Sequence, residues 1–199
     1  MTQRMSSAHR IRVEKSRLRS RLQKLRRSIP AQARISYSRA IAARLFEMQE
    51  VISARAVFVY ISYGSEVDTH NVISCLLANG KLAAVPKIVD SKRMAAHQFT
   101  NWDELRPAQL GILSPTKTDE YRGSIDVAIT PGLGFTLEGH RIGFGAGYYD
   151  RWFSSHSVNW KVALAFEAQL LEYIPTETTD VPVDAIVTEK RCIRIKGPC

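Results

Sequence analysis

The residues best suited to chemistry lie in a glycine-rich segment, residues 131–151. Glycine occupies every second position of Gly143–Gly147, between Arg141 on one side and Arg151 on the other. Because glycine has no Cβ, its backbone N–H groups can form a concave nest for an anion, and a following helix N-terminus adds its dipole. The two arginines can neutralise phosphate oxygens. Asp150 offers a carboxylate for a magnesium ion bound to those phosphates.

Two familiar phosphate-binding motifs do not fit this segment. It lacks the Gly-Lys-Ser/Thr of a Walker A loop, and its glycines are spaced GxGxG rather than GxGxxG. This spacing disfavours a dinucleotide-dependent oxidoreductase. The glycines alone are also compatible with a tight structural turn, in which Tyr148 and Tyr149 would simply pack in the core.

The basic charge of the chain is concentrated near its N-terminus. The net charge is +9, and residues 1–55 hold 14 Lys+Arg against three acidic residues. This footprint suits a polyanion such as nucleic acid, nucleotide phosphates or polyglutamate, although a solvated helix face explains it equally well. A nucleic-acid-binding protein is therefore the competing function. That function would have no use for the alternating glycines or for Asp150.

Length and composition predict one globular domain. The chain has 199 residues, of which 45% are hydrophobic and 24% are charged. No apolar run approaches the roughly 18 residues of a membrane span, and the arginine-rich N-terminus is unlike a secretory signal. Its three cysteines are odd in number and form no CxxC pair. We therefore expect a cytoplasmic protein with reduced thiols, without a disulfide framework or zinc site.

Short apolar strands alternate with helices along the chain. Periodicity and end signals predict helices over 8–27, 30–48, 69–77 and 149–154, with Thr69 as a cap and Gly80 at a helix end. Strands are predicted over 55–61, 82–86, 95–99, 126–130, 161–166 and 185–187, with loops around Pro107 and Pro115. This alternation predicts a single α/β domain over residues 1–199, with a mainly parallel sheet covered on both faces. Residues 1–14 form a basic N-terminal extension whose order the sequence leaves open.

The complete string from position 131 is far more specific than its glycines. It reads PGLGFT and then, from Arg141, RIGFGAGYYDR. With KSRLR at 15–19, the segment 60–69, the segment 164–175 that includes Gln169, and the segment 180–189, it resembles the signature of the 5-formyltetrahydrofolate cyclo-ligase family. The resemblance covers roughly residues 15–189, and its blocks occur in the family's order.

The resemblance implies a fold and a reaction. The fold is a three-layer α/β/α sandwich of the CoA-transferase-like type, with N-terminal helices. The reaction converts 5-formyltetrahydrofolate and ATP to 5,10-methenyltetrahydrofolate, ADP and phosphate, with Mg²⁺. The formyl oxygen is phosphorylated first, N10 then closes the ring, and phosphate leaves. We expect a monomer that acts on a folate, with polyglutamylation left open, and no membrane or nucleic-acid partner.

The resemblance also assigns roles to matching positions. The catalytic group is Arg141, Tyr148 and Asp150, and the magnesium ligands are Asp150 and Asp184. ATP is contacted by Lys15, Arg19, Arg141, Ile142, Gly143, Phe144, Gly145, Ala146, Gly147, Tyr148 and Tyr149. The folate is contacted by Ile61, Glu66, Gly145, Gly147 and Tyr148. Glu66 suits this role chemically, because a pterin presents N–H donors that a carboxylate can accept.

Three positions depart from the family pattern. Phe144 and Ala146 stand where relatives often carry a basic residue between the glycines, which bears on ATP affinity rather than on the reaction type. Ser114 stands where many relatives have Glu before Pro115. A loop role for that carboxylate is therefore not expected here.

Overall fold

The computed structural model describes residues 7–108, 113–116, 119–195 and 197, and it is built around a seven-stranded sheet. The helices are α1 (Ser7–Ser28), α2 (Ala31–Phe46), α3 (Gln49–Ser53), α4 (His70–Ala78) and α5 (Tyr148–Ser155). The strands are β1 (Ala56–Val59), β2 (Leu82–Ile88), β3 (Met94–Phe99), β4 (Leu105–Pro107), β5 (Leu113–Pro115), β6 (Ile125–Thr130), β7 (Gly134–Thr136), β8 (Arg141–Ile142), β9 (Val158–Leu164), β10 (Leu170–Leu171), β11 (Ala185–Val187) and β12 (Cys192–Arg194).

The main sheet has a parallel centre and antiparallel edges. Its strand order is β12–β11–β9–β6–β1–β2–β3. The central strands β11, β9, β6, β1 and β2 pair in parallel, whereas β3 and β12 pair antiparallel with their neighbours. Two small sheets, β10–β7–β8 and β4–β5, complete the strands of the described residues.

Strand β1 shows why helices cover both faces of the sheet. All four of its residues are buried, and successive side chains point to opposite faces. Val57 and Val59 join a core cluster with apolar residues of α2, α3 and α4. Ala56 and Phe58 face α5 instead, and the rings of Phe58 and Trp152 stack with centroids 4.4 Å apart. The predicted three-layer sandwich with a mainly parallel sheet is confirmed.

The sequence located the long elements well and missed several short ones. The long helices and central strands lie within a few residues of the predicted ranges. The loops predicted around Pro107 and Pro115 are instead the paired edge strands β4 and β5. These strands are short, and their prolines lie at their ends, where the missing N–H costs little.

Thr69 has a different role from the predicted one. It stands at the start of α4, but its side chain makes no capping hydrogen bond there. Its hydroxyl donates to the carbonyl of Tyr60 at 2.7 Å and accepts from the N–H of Ser62 at 3.0 Å. Thr69 therefore ties the segment after β1 to α4, and the capping prediction was wrong. Gly80 does follow α4 with φ +68°.

The described residues include part of the N-terminal extension and two of the three cysteines. Residues 7–14 belong to α1, whereas residues 1–6 and Cys199 lie outside the described residues. Cys75 and Cys192 are free and exposed. Within the described part of the chain, no helix is long and apolar enough to cross a membrane.

Candidate active site

The candidate site lies beyond the carboxyl ends of β1 and β6. These strands are neighbours, and their connections diverge: β1 leads to β2 on one side, and β6 leads to β9 on the other. In parallel α/β sheets, ligands bind in the crevice at such a switch point. The segments that leave the two strands, 60–69 and 131–147, carry most of the residues that the resemblance marked.

Helix α1 crosses this crevice with one face inward. Lys15, Arg19, Leu22 and Arg26 are spaced by four, three and four residues, so they share that face. Arg19 donates from Nε to the carbonyl of Gly143 at 3.0 Å. Leu22 is 1% exposed and packs in a small cluster with Leu133. The basic residues on this face therefore contact the site, not only solvent.

Lys15 is buried and bound by two carboxylates. Its Nζ lies 2.9 Å from Oε2 of Glu177 and 2.6 Å from Oδ2 of Asp180. Burial acts to lower the pKa of Lys15, but the two acidic partners outweigh it, so the pKa is raised. Lys15 thus remains a cation at neutral pH, and the segment after β10 is fixed to α1.

The glycine-rich loop depends on glycine at two positions. Gly145 has φ +107° and Gly147 has φ +68°, and Gly147 directly precedes α5. A Cβ on Gly145 would lie 3.2 Å from Cζ of Arg19. Glycine therefore allows both the backbone conformation and the close approach of Arg19. Phe144 and Ala146, between the glycines, are exposed.

Arg141 and Asp150 form an ion pair at the base of this loop. Nη2 of Arg141 lies 2.7 Å from Oδ1 of Asp150, which also accepts from the N–H of Val181 at 3.1 Å. Burial lowers the pKa of Arg141, and the carboxylate of Asp150 opposes that shift. Nε of Arg141 is buried and has no hydrogen-bond partner among the described residues. One carboxylate thus balances a deeply buried cation and fixes the start of α5.

The folate-side candidates lie on the segment after β1. Ile61 is 5% exposed and belongs to the main core cluster. Oε2 of Glu66 accepts from the N–H of Tyr63 at 3.0 Å. Burial raises the pKa of Glu66, while Arg26 acts to lower it. The hydroxyl of Tyr149 is buried and has no hydrogen-bond partner in the described part of the chain.

Two flanking candidates contact the hairpin between β2 and β3. The hydroxyl of Tyr148 donates to the carbonyl of Asp90 at 3.1 Å. Nε of Arg151 donates to the carbonyl of Lys92 at 2.6 Å, and its guanidinium lies over the ring of Tyr148. These contacts fix the first turn of α5 against the hairpin. The role of Tyr148 in catalysis stays a prediction.

Asp184 lies immediately before β11, in an ion pair with Lys161. Its carboxylate accepts from the N–H of Lys161 at 2.7 Å and lies 2.9 Å from Nζ of the same lysine. Among the described residues, no three His, Cys, Asp or Glu side chains are grouped so that they could hold a metal ion. Mg²⁺ often takes only one or two protein carboxylates and completes its shell with phosphates and water. Asp150 fits that pattern, and the role of Asp184 stays a prediction.

Sequence reasoning gave no role to Gln169, which organises the segment after β6. It is 1% exposed, and its Nε2 donates to the carbonyls of Gly132 and Leu133, both at 3.0 Å. Its Oε1 accepts from the N–H of Phe166 at 2.9 Å. One side chain therefore pairs three backbone groups from two segments. Only the family match at this position hinted at its importance.

Replacing Gln169 with leucine should destabilise the protein by about 3 kcal/mol, because it leaves buried backbone groups without partners. The measurement is the free energy of unfolding from urea denaturation. Gln98→Leu is the matched control, since Gln98 is exposed on β3 and its loss should change stability by about 0.5 kcal/mol or less. Equal stability of the two variants would contradict the assigned role.

Comparisons with known proteins agree with this geometry. Residues 11–189 match the model of the 5-formyltetrahydrofolate cyclo-ligase family. A 5-formyltetrahydrofolate cyclo-ligase of Mycolicibacterium smegmatis is 31% identical over 90% of this chain and 95% of its own length. The enzyme of that name from Escherichia coli K12 is 29% identical over 83% of this chain and 95% of its own length. The solved structure of Aquifex aeolicus 5,10-methenyltetrahydrofolate synthetase superposes with a TM-score of 0.82, at 28% identity, covering 93% of this chain and 94% of that one.

Proposed function

This chain belongs to the 5-formyltetrahydrofolate cyclo-ligase family, and from that premise we propose that it converts 5-formyltetrahydrofolate to 5,10-methenyltetrahydrofolate with ATP and Mg²⁺. The observation that carries this proposal is the meeting of two segments at the switch point of the sheet. The glycine-rich loop, with Arg19 against it, suits phosphates. The segment beside it carries a nearly buried carboxylate, Glu66, which suits a pterin.

The ATP side needs positioning and charge more than covalent chemistry. Phosphoryl transfer depends mainly on alignment and on neutralising the charge of the phosphate oxygens. Gly145 and Gly147 let the guanidinium groups of Arg19 and Arg151 approach the loop backbone closely, and the N-terminus of α5 lies beside them. Arg19 brings a cation from α1 to the loop, and Lys15 adds a second on the same face, paired with Glu177 and Asp180. We propose that these groups align the γ-phosphate with the folate.

The magnesium ion would supply charge neutralisation at the phosphates when bound. Asp150 is the residue that suits it, because it is the carboxylate at the base of the glycine-rich loop. Arg141 holds Asp150 in place through the 2.7 Å ion pair. Mg²⁺ tolerates such sparse protein coordination, so one carboxylate with the phosphates is a sufficient ligand set.

The folate would react in two steps. The formyl oxygen attacks the γ-phosphorus while the bond to the β-phosphate oxygen breaks, which releases ADP. N10 then attacks the formyl carbon and loses its proton, and the phosphate leaves with its C–O bond electrons. The cationic N5–CH–N10 bridge of the product remains. No step needs a covalent protein nucleophile.

The first experiment mixes purified protein with 5-formyltetrahydrofolate and Mg²⁺, with and without ATP. We expect the absorbance of the methenyl product to appear only when ATP is present, and ADP and phosphate to form in equal amounts. Omitting Mg²⁺ should abolish the reaction. Folded protein without ATP-dependent product would refute the proposed reaction, and the basic face of α1 would then become the leading functional feature.

We further propose a cytoplasmic monomer. The exposed free thiols of Cys75 and Cys192 suit a reducing compartment. Size-exclusion chromatography with light scattering tests the monomer, because the chain mass is 22.4 kDa. A folate with a polyglutamyl tail is compatible with the exposed arginines of α1, and a comparison of KM values for short and long tails would test that preference.

A further inference from the structure

Arg26 contacts both the segment after β1 and the segment after β6 in the proposed site. It lies outside the sequence blocks that resemble the family. It lies on the inward face of α1, eleven residues after Lys15. Its side chain is 6% exposed, which is rare for an arginine without a specific partner. A buried guanidinium must satisfy its donors and its charge, so its neighbours indicate what it does.

The donors of Arg26 hold two backbone segments. Nε donates to the hydroxyl of Ser65 at 3.1 Å, next to Glu66 on the segment after β1. Nη1 donates to the carbonyl of Gly132 at 3.3 Å, on the segment after β6. The guanidinium also lies over the exposed ring of Phe144, with Cζ 5.4 Å from the ring centroid. Arg26 therefore contacts both segments and Phe144 of the glycine-rich loop.

The charge of Arg26 faces the carboxylate of Glu66. Nη1 lies 3.7 Å from Oε1 of Glu66, whose side chain is 10% exposed. That distance is an ion-pair distance but is too long for a hydrogen bond. Arg26 therefore favours the ionised form of Glu66 against the burial that disfavours it, and it does so without taking up Oε1 as an acceptor. Oε2 already accepts from the N–H of Tyr63. A ligand N–H donor would find a charged acceptor fixed in place.

We propose that Arg26 is a positioning residue for the folate, which keeps Glu66 ionised and oriented to accept hydrogen bonds from the pterin ring. This inference rests on the proposed function, since it concerns that same site. Arg26 does not touch the substrate in this role. It acts through Glu66, and its contact with Phe144 places it beside the glycine-rich loop as well.

The sign of the pH effect follows from the charges around the pair. Burial raises the pKa of Glu66 and Arg26 opposes that rise, so loss of the cation raises the pKa further. The protonated acid cannot accept from the pterin as an anion does. Folate binding therefore weakens as pH falls through this pKa, and the weakening begins at a higher pH without Arg26.

The other titratable groups near Glu66 and Arg26 keep a constant charge in mild acid, so the expected acid limb is assigned to Glu66. Those that interact with Glu66, with Arg26 or with their immediate neighbours are Tyr60, Asp68, Tyr149, Arg141, Arg27 and Arg34. Burial raises the pKa of both tyrosines, so they stay neutral in acid. The hydrogen bond with His70 lowers the pKa of Asp68 to about 2, so Asp68 stays charged in mild acid. The arginines stay charged throughout.

The test compares Arg26→Gln, which keeps a donor but removes the charge, with Arg26→Lys, which keeps a charge. For Arg26→Gln at neutral pH, we expect the folate KM to rise on the order of tenfold, the size of one lost charge-assisted hydrogen bond. The acid limb of kcat/KM for folate should move to higher pH. Arg26→Lys should keep the limb near its original pH, and Arg39→Gln, at an exposed arginine of α2, should behave as wild type.

A binding measurement separates this role from a purely structural one. Calorimetry with 5-formyltetrahydrofolate alone should show the same shift of the acid limb in Kd, and Arg26→Gln should add little in a Glu66→Gln background. The inference would be overturned if folded Arg26→Gln kept the wild-type KM for folate and the wild-type pH of the acid limb. If that variant does not fold, Arg26→Lys decides, and a shifted limb in it overturns the inference. An inactive wild-type enzyme would instead reject the proposed reaction itself.

Discussion

Replacing Asp150 with asparagine should lower kcat by on the order of 100-fold or more, the size expected when one preorganised electrostatic group is lost from a transition state. Asparagine keeps the shape of the side chain but removes the charge that would hold Mg²⁺ at the phosphates. The loss should be partly recovered at high Mg²⁺ concentration if metal binding is weakened. The measurement is ATP-dependent product formation across a magnesium titration.

Asparagine is preferable to alanine at this position because of Arg141. Oδ1 of Asp150 accepts from Nη2 of Arg141 and from the N–H of Val181, and the asparagine oxygen can still accept from both. Alanine would leave a buried guanidinium without its partner, which costs about 3–5 kcal/mol. An inactive Asp150→Ala protein could therefore be a misfolded one. The asparagine variant, with its melting temperature measured, removes that ambiguity.

Asp184→Asn is the companion to this experiment. Asp184 is paired with Lys161, so a purely structural role predicts lower stability with an unchanged magnesium dependence. A role as second metal ligand predicts a raised magnesium requirement in both variants. Wild-type activity and magnesium dependence in folded Asp150→Asn would contradict the metal role given to Asp150.

The sequence predicted the long elements because their signals are local. Apolar spacing on α1 and β-branched runs in β1 and β6 each extend over enough residues to show a period. Strands β7, β8 and β10 have only two or three residues, so no period can develop. Their pairing depends on partners far along the chain, which a single sequence does not reveal. The family resemblance supplied the fold around them.

The site was predictable to a similar degree and for similar reasons. Glycine alternation and the flanking charges are local, and they pointed to the segment that does meet α1. Arg26 and Gln169 depend on contacts with residues 39 and 37 positions away, respectively, so no local pattern singled them out. One signal was nevertheless present: Arg26 falls on the same helical face as Lys15 and Arg19. Position on that face distinguishes the inward-facing basic residues of α1 from its many exposed ones.

Gly147→Ala should lower kcat/KM for ATP on the order of 100-fold, the size of effect that a misplacement of about 1 Å can have on an aligned reaction. Gly147 has φ +68°, and an added Cβ would lie 2.7 Å from Nη1 of Arg151. Relief of that contact must move either the loop or Arg151, which is fixed to the carbonyl of Lys92. Either the guanidinium of Arg151 beside the loop or the backbone N–H groups proposed to face the phosphates would therefore leave their present positions. Steady-state kinetics with varied ATP measure the effect.

Gly80→Ala is the control that isolates this effect from backbone strain. Gly80 also has φ +68°, but nothing lies within 4 Å of its added Cβ. Both substitutions impose the same left-handed conformation on alanine, which costs about 1–2 kcal/mol of stability. We expect the two variants to lose similar stability, with only Gly147→Ala losing ATP utilisation. If both keep the wild-type kcat/KM for ATP, the glycine-rich loop does not position the nucleotide. If both variants lose kcat/KM for ATP equally, the loss reflects stability alone. Gly80 lies after α4, so strain there could not act on the glycine-rich loop directly.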